Sequence, residues 1–508
     1  MAERGRMRLD ELPLPDIPAG ARSIEINALA YDSRQVRPGA LFFCVPGFSS
    51  DGHDFAERAI TAGARALVLE RALELDVPEI VVPSARRAMG PVAAAFFGHP
   101  SRDLRVVGVT GTNGKTTTAF LVRSLLEANG EQCGLLGTVK SIVAGVERQA
   151  TRTTAEAIDL QADLCSMLTG GDRACAMEVS SHALELGRTD EVSFAAAIFT
   201  NLTQDHLDFH PTMEDYFHAK RRLFIADREA PAPASSIINL DDSYGRRLAN
   251  EVPGAVSFAL EHEADYRASA IEMRPHGWRF DLQANGQGHR VELPLPGRFN
   301  ISNALGAIAA AHSLGHELER VIAALEDGVH VPGRFEPVRE GQDFTVLVDY
   351  AHTPDSLENV LASARELTRA DGSATGRLVC VFGAGGDRDR SKRPMMGRVA
   401  AQTADVVIVT SDNPRSENPE TIINQIMDGA RRSDRPAGAG SLLAIPDRRE
   451  AIEHAIDVAN SEDVIVIAGK GHEQGQEFAG GVKIPFDDVS VVREILRMQR
   501  RTRPGTAA

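Results

Sequence analysis

At 508 residues with 43% apolar side chains, the chain is long enough for two to four domains with full cores. Its net charge of −16 excludes a general nucleic-acid binder or an anionic-membrane binder, so an anionic ligand must be met by local basic groups. Five scattered cysteines (Cys44, Cys133, Cys165, Cys175, Cys380) form no Cys-x-x-Cys pair, which excludes a disulfide framework or a zinc site and predicts reduced thiols in a cytoplasmic protein.

No apolar run reaches transmembrane length, so membrane insertion is not expected. Residues 1–20 lack a hydrophobic signal core and read as a polar, partly loose leader. A first unit is expected over 22–100. Within it Leu41–Val45 and Ala66–Leu69 read as strands and Asp54–Ala64 as a helix, with Tyr31-Asp-Ser33-Arg34 in a loop and a turn-rich stretch over Gly47–His53. A helix with Pro91 near its middle lies between Pro83 and Arg102 and leads to a boundary near residue 100.

The central unit, 101–331, opens on the most informative stretch. Val106, Val107 and Val109 form a β-branched strand. Gly111-Thr112-Asn113-Gly114-Lys115-Thr116-Thr117 follows, and a helical pattern runs from Thr118 to Ala128. Strand, glycine loop, Lys-Thr and helix is the context in which backbone N–H groups and a helix N-terminus hold phosphate, with Lys115 at the terminal phosphates and the Thr116 hydroxyl on Mg²⁺. The general pattern wants its first glycine where Val109 stands, and a Gly-Lys-Thr in a plain turn is the competing reading.

Thr151–Thr154 follows a hairpin pattern. Two further strands, Ala176–Glu178 and Ala195–Phe199, end in Glu178-Val-Ser180-Ser-His182 and in Thr200-Asn201…Asp205-His206. Polar groups at the carboxyl ends of strands in an open α/β sheet face the ligand crevice, which makes Glu178 and His206 candidate Mg²⁺ partners. A Pro/Ala-rich loop spans Ala230–Ser235. The stretch Glu261–Leu295, with turns at Pro275-His-Gly and Asn285-Gly, reads as antiparallel strands, and an apolar helix follows through Leu314.

In the last unit, 332–508, four β-branched runs (Phe344–Val348, Leu378–Phe382, Val406–Thr410, Val464–Ala468) alternate with helices over 354–367, 394–402, 419–431 and 448–459. The alternation implies a mostly parallel sheet. Its strand ends carry Arg388, Arg415 and Glu473. Arginine forks bind carboxylates and Glu473 can pair with an ammonium, so a small zwitterion suits this edge, with a solvated charged rim as the alternative. The Gly-x-Gly-Gly at 383–386 lacks the spacing of a dinucleotide site.

Taken in order, Thr110-Gly-Thr-Asn-Gly-Lys-Thr116, Met177-Glu-Val-Ser-Ser-His182, Thr203-Gln-Asp-His206, Gly333-Arg-Phe-Glu336, Asp349-Tyr-Ala-His-Thr-Pro354 and Gly385-Gly-Asp-Arg-Asp389 resemble the Mur ligase family over nearly the whole chain. These are ATP-dependent amide ligases of cytoplasmic peptidoglycan precursor synthesis. The resemblance implies three α/β domains: an N-terminal UDP-binding domain, a central P-loop ATP-binding domain with attached strands, and a C-terminal Rossmann-like domain for the incoming amino acid. Within the family the chain is most similar to the member that joins a diamino acid to UDP-N-acetylmuramoyl-L-alanyl-D-glutamate, with Mg²⁺ as cofactor, ATP as co-substrate and a monomer as the expected state.

The resemblance also implies roles for matching positions. Ser33 would contact the UDP-sugar, and Thr153, Thr154, Ser180 and Arg188 its sugar-peptide arm. Lys220 matches a carbamylated lysine, an anionic oxygen ligand that would hold Mg²⁺ with His206, alongside Thr116 and Glu178. Asn300 and Arg334 match nucleotide contacts and Asp349 a hinge-side one. Asp412-Asn413-Pro414-Arg415 goes with meso-2,6-diaminopimelate, whose distal carboxylate an arginine fork can receive. Arg388, Gly469 and Glu473 match the remaining amino-acid contacts. Arg152 and Leu186 depart from the Asn and Gln that some relatives carry in the sugar-peptide site. The proton leaving the attacking amine could go to His206, His352 or solvent. The competing functions are a lysine-adding or folylpolyglutamate-forming ligase and, from another class, a non-catalytic P-loop switch.

Overall fold

The computed structural model describes residues 6–47, 50–226, 231–274, 277–368, 376–434 and 440–502. The expected turn at Pro275-His and parts of the expected Gly47–His53 and Ala230–Ser235 loops lie outside them.

The leader is not loose from Arg6 onward. Strand β1 (Met7–Arg8) pairs antiparallel with β2 (Glu25–Ile26), and Leu9 and Leu12 are buried in the first core. Apolar residues every few positions in this polar stretch were enough to anchor it. A parallel four-stranded sheet follows, β3 (Ala28–Ala30), β4 (Ala40–Phe43), β5 (Ala64–Leu69) and β6 (Glu79–Val81), side by side in that order. It is flanked by α1 (Ala56–Thr61) and α2 (Ala85–Phe96). Helix α2 is capped by the Ser84 hydroxyl and carries Pro91 inside it.

The second sheet has eleven strands. Its parallel part is built from β7 (Arg105–Thr110), β8 (Cys133–Leu136), β11 (Ala174–Glu178), β12 (Phe194–Phe199), β13 (Ser236–Asn239), β14 (Val256–Ala259) and the first residues of β15 (Tyr266–Arg274). Antiparallel strands extend it on both sides. The hairpin β9 (Lys140–Val143) and β10 (Val146–Gln149) joins beyond β8, and β16 (Gly277–Ala284) and β17 (Gln287–Leu293) join beyond β15. The Asn285-Gly286 turn has both residues at positive φ, as a tight hairpin requires.

The inner strands are buried on both faces and so read as continuous apolar runs. One face is covered by α3 (Lys115–Ala128), α8 (Phe299–Ser313) and α9 (Leu318–Glu326). The other is covered by α4 (Ala157–Gly170), α5 (Ser181–Glu185), α6 (Met213–Arg221) and α7 (Ser243–Glu251). Ala157 and Ile158 of α4 also enter the core of the first domain, where Tyr31 Oη donates to Asp159, so α4 joins the two domains.

The third sheet has the order β18-β19-β23-β20-β21-β22, with β18 (Glu336–Val338) antiparallel to β19 (Thr345–Asp349). Parallel β20 (Leu378–Phe382), β21 (Val406–Val409), β22 (Leu442–Ala444) and β23 (Val464–Ala468) complete it. Helices α10 (Pro354–Leu367), α11 (Lys392–Thr403) and α12 (Pro419–Arg431) cover one face. Helices α13 (Arg448–Asp457) and α14 (Asp488–Thr502) cover the other. A two-stranded ribbon, β24 (Gly475–Glu477) and β25 (Lys483–Pro485), stands on the carboxyl edge.

Candidate functional site

Strand β7 sits in the middle of its sheet, with β11 on one side and β12 on the other. The chain turns out of β7 at Gly111 and enters α3 at Lys115. The turn needs glycine: Gly114 has φ +85°, and a Cβ there would stand 2.4 Å from Asn303 Oδ1. Val109, the departure from the general pattern, lies inside β7 opposite Glu178 of β11, so this loop does without that glycine because the strand simply continues. Lys115 Nζ curls back to the carbonyls of Gly111 and Thr112, at 2.8 Å each.

Glu178 is the hub of the crevice. It is 1% exposed, and both its carboxylate oxygens accept from the Thr116 hydroxyl at 3.0 Å. The backbone N–H and hydroxyl of Thr138, at the end of β8, donate to it as well. Two lysines face the same crevice. Lys220, buried on α6, donates to the Gly111 carbonyl at 2.8 Å and lies over the Tyr216 ring. Burial, and then the like charge of Lys115, push its ammonium well below the ordinary range.

His206 has φ +56° and its ring meets His182 edge-on at 4.8 Å. Burial pushes the His206 imidazole well below its ordinary range and His182 down to about 4. Burial alone would raise Asp205 beside them. His206, His352 and Lys392 outweigh it and hold that carboxyl well below its usual range.

The far wall is made of hydroxyls and guanidinium groups. The Thr154 hydroxyl donates to the Glu178 carbonyl at 2.8 Å, and the Ser180 hydroxyl caps α5. Arg188 donates to the Thr154 carbonyl and pairs with buried Glu156, which Arg86 and Arg152 also reach. Three cations on one carboxylate leave this wall positive.

The third domain closes over the crevice. Arg334 donates to the Thr116 hydroxyl at 2.8 Å and lies on the Tyr350 ring. Asp355 accepts from Asn113 at 2.6 Å and from Thr203, and Gln204 reaches Ser391. Asp349 takes the backbone N–H groups of Phe335 and Ala351.

The crevice holds a cavity of about 610 Å³, lined by Thr112–Thr117, Thr153, Thr154, Glu178, Ser180, Arg188, His206, Lys220, Arg334, Asp349 and Arg388. It adjoins a second cavity of about 880 Å³, and Thr138, Arg152, Thr153, Tyr350 and Arg388 border both. The second is lined by Asn413, Arg415, Glu473 and Glu477 among others. Arg415, at φ +51°, donates from Nε to Glu477 and from Nη1 to the Gly386 carbonyl. Asp412 and Pro414 are buried beneath, and Gly469, at φ +110°, passes so close that a Cβ would meet Asp412 Oδ2 at 2.9 Å.

Of the expected residues, Gly111, Asp412, Pro414 and Gly469 lie behind the cavity walls, and two more stand apart. Ser33 is buried in its loop after β3 and borders neither cavity. Asn300 is turned into its own helix turn, bonded to the Pro296 carbonyl and to Asn303, and Asn303 lines the cavity in its place. Arg152 borders both cavities, whereas Leu186 borders neither.

Sequence reasoning missed Thr138, Glu156, Asp355, Lys470 and Glu477. Thr138 follows a strand end, so the rule that found Glu178 applies to it too. The other four are ordinary charged residues, each with at least one partner from a distant segment. Among the described residues, no group of three or more His, Cys, Asp or Glu gathers as a metal centre. The oxygen donors of Thr116, Thr138 and Glu178 suit a hard cation such as Mg²⁺.

Family models match three stretches: "Mur ligase family, catalytic domain" over 25–97, "Mur ligase middle domain" over 109–311 and "Mur ligase, glutamate ligase domain" over 333–471. A UDP-N-acetylmuramoyl-L-alanyl-D-glutamate–2,6-diaminopimelate ligase of Geobacillus thermodenitrificans is 44% identical over 480 residues, 94% of this chain and 96% of that one. The ligase of that name from Geobacillus kaustophilus is 45% identical over 477 residues, 93% of this chain and 95% of that one. A solved structure carrying that ligase name superposes with a TM-score of 0.67 at 32% identity, covering 98% of this chain and 100% of the other.

Proposed function

The chain belongs to the Mur ligase family, and from that membership we propose that it joins meso-2,6-diaminopimelate to UDP-N-acetylmuramoyl-L-alanyl-D-glutamate with ATP, in the cytoplasmic synthesis of peptidoglycan precursors. The observation that carries the reading is the continuity of two cavities. A phosphate loop with Glu178 opens directly onto a pocket holding Arg415 and Glu473, with Arg388 at the border. A mere nucleotide switch has no use for the second pocket. The domain limits we adopt are 22–100, 101–331 and 332–508, and the working unit is taken as a monomer.

The D-glutamyl γ-carboxylate attacks the γ-phosphorus of ATP in line, the bond to the β-phosphate oxygen breaks, and an acyl phosphate and ADP result. The diaminopimelate amine then attacks the acyl carbon, inorganic phosphate leaves and the nitrogen loses a proton. The chain's work is positioning and charge. Lys115 and the loop N–H groups hold the phosphates. Thr153, Thr154, Ser180 and Arg188 hold the sugar-peptide arm so that its carboxylate faces the loop. Arg334 and Asp349 bring the third domain to the nucleotide, Ser33 is assigned to the UDP-sugar beyond the two cavities, and Asn300 acts at the nucleotide end through Asn303, to which it is bonded. Thr116, Glu178, His206 and Lys220 as its carbamate would hold Mg²⁺, which neutralises charge on the transferring phosphoryl group. No protein nucleophile is needed.

In the second pocket Arg415 receives the distal carboxylate, and Asp412, Asn413, Pro414, Gly469 and Glu473 shape the zwitterionic end. Without that carboxylate the arginine loses a charge-assisted bond worth about 1.5–3 kcal/mol, so lysine is disfavoured. The test is phosphate release from ATP with the UDP-linked dipeptide, comparing meso-diaminopimelate with L-lysine. Release should require the dipeptide and prefer diaminopimelate, and Arg415→Ala should cut that preference about 10–100-fold. Equal release with lysine by the unmodified enzyme overturns the role of Arg415. No dipeptide-dependent release overturns the ligase.

A further inference from the structure

Behind Glu473 lies a lysine with no exposed surface. Lys470 Nζ donates to Glu473 Oε2 at 2.9 Å and to Asn413 Oδ1 at 3.1 Å, and stands 3.6 Å from Asp412 Oδ1. The Asn413 amide donates to the same Glu473 oxygen at 2.7 Å. One edge of the Glu473 carboxylate is therefore held from behind by two donors. The residue itself lines the larger cavity, which Lys470 does not reach. Gly469 and Gly471, both at positive φ, let the chain turn on either side of the lysine and bury it.

The charges are uneven in an informative way. Two carboxylates, Asp412 and Glu473, share one ammonium, so the cluster keeps one negative charge. The next cation inward, Arg448, is already neutralised by Asp488 at 2.7 Å with both side chains fully buried. A buried charge left unpaired is costly, so an excess carboxylate at a cavity wall is a receptor for a cation from the cavity.

We propose that Lys470 is a positioning residue that fixes Glu473 as the acceptor for a primary ammonium group of the incoming amino acid. The inference rests on the reading that this cavity takes a diamino acid. Lys470 supplies no contact to the ligand. It sets the angle of the carboxylate and prevents Asp412 and Glu473 from repelling each other apart.

The experiment is steady-state ligation by Lys470→Met, Glu473→Gln and the double variant, with all three substrates varied. In Lys470→Met the KM for diaminopimelate should rise tenfold or more, while the KM values for ATP and the UDP-linked dipeptide stay within threefold. In the Glu473→Gln background the same change should add less than threefold, because its target is gone. An equal loss in that background, or a parallel rise in the KM for ATP, makes Lys470 a structural residue and overturns the proposal. Should Lys470→Met not fold, the double variant with Asp412→Asn added decides, since it removes all three charges: folding with the diaminopimelate KM of Glu473→Gln, Asp412→Asn supports the proposal, and a KM tenfold or more above it overturns it. If the unmodified enzyme ligates no diamino acid, the functional reading fails rather than this one.

Discussion

Lys220 shows how a single side chain can be read two ways. As an ammonium it is an oddity, buried between the Gly111 carbonyl and the Tyr216 ring with Lys115 as a neighbour. As a carbamate it would be an oxygen donor facing the same crevice as Glu178 and His206, and the position then makes sense. Lys220→Ala should lower ligation about 100-fold or more, the scale of losing charge neutralisation at a phosphoryl group, while nucleotide affinity falls only severalfold. Phosphate release and a fluorescent-nucleotide titration check the two halves. In the unmodified enzyme, ¹³C-labelled bicarbonate should give a carbamate resonance that the variant lacks. Normal ligation by the variant would discard the assignment.

Among the elements, those that position chemistry were legible where burial forces an apolar run. β7, β20 and β23 announce themselves as Val- and Ile-rich segments, and α10 by Thr353-Pro354, which the structure uses as a capping box with proline at the first turn. The ribbon β24–β25 was not legible. It is three residues a side, with Val482 and Ile484 exposed, and no period marks it. Yet its Glu477 holds the guanidinium of Arg415, and its first strand follows closely on Glu473. The order of the leader was not legible either, since its apolar residues Met7, Leu9, Leu12, Leu14 and Ile17 follow neither a helical nor a strand period.

Helix α13 offers a measurable case. Arg448 at its start bonds the carbonyls of Ser411 and Ala468, the last residues before the two loops of the amino-acid pocket, while Asp488 at the start of α14 neutralises it. Arg448→Met leaves Asp488 buried and unpaired and should cost the third domain about 3–5 kcal/mol. Arg448→Met combined with Asp488→Leu should recover much of that loss. Urea unfolding, followed in the third domain by hydrogen exchange, checks both variants. Equal stability of the two would mean that the pair carries no special burden.

Across the whole molecule, the second and third sheets meet at their strand ends, where polar contacts join them. Asp355 is the best placed of these, taking Asn113 of the phosphate loop and Thr203 on the next strand end. Neither partner suggested the other in the sequence, because 242 positions separate Asn113 from Asp355. Asp355→Ala removes bonds to a charged acceptor worth about 1.5–3 kcal/mol in all. The kcat/KM for the amino acid should fall roughly tenfold or more, and small-angle scattering with nucleotide and dipeptide bound should report a larger radius of gyration than in the unmodified enzyme. An unchanged radius with unchanged kinetics would show that the closed arrangement is held elsewhere.

The bond from Arg334 to Thr116 has a thermodynamic reading of its own. One guanidinium, carried on the segment that leads into the third domain, touches the hydroxyl at the base of the phosphate loop and rests on Tyr350 at the mouth of the neighbouring pocket. A nucleotide that alters the hold on this arginine alters the preferred angle of the third domain, and with it the affinity for the second substrate. Linkage makes the effect reciprocal: the factor by which nucleotide tightens the amino acid is the factor by which the amino acid tightens nucleotide. On the proposed assignment of the two pockets they form a single coupled binding system, in which the affinity of either is defined only with a statement of what occupies the other.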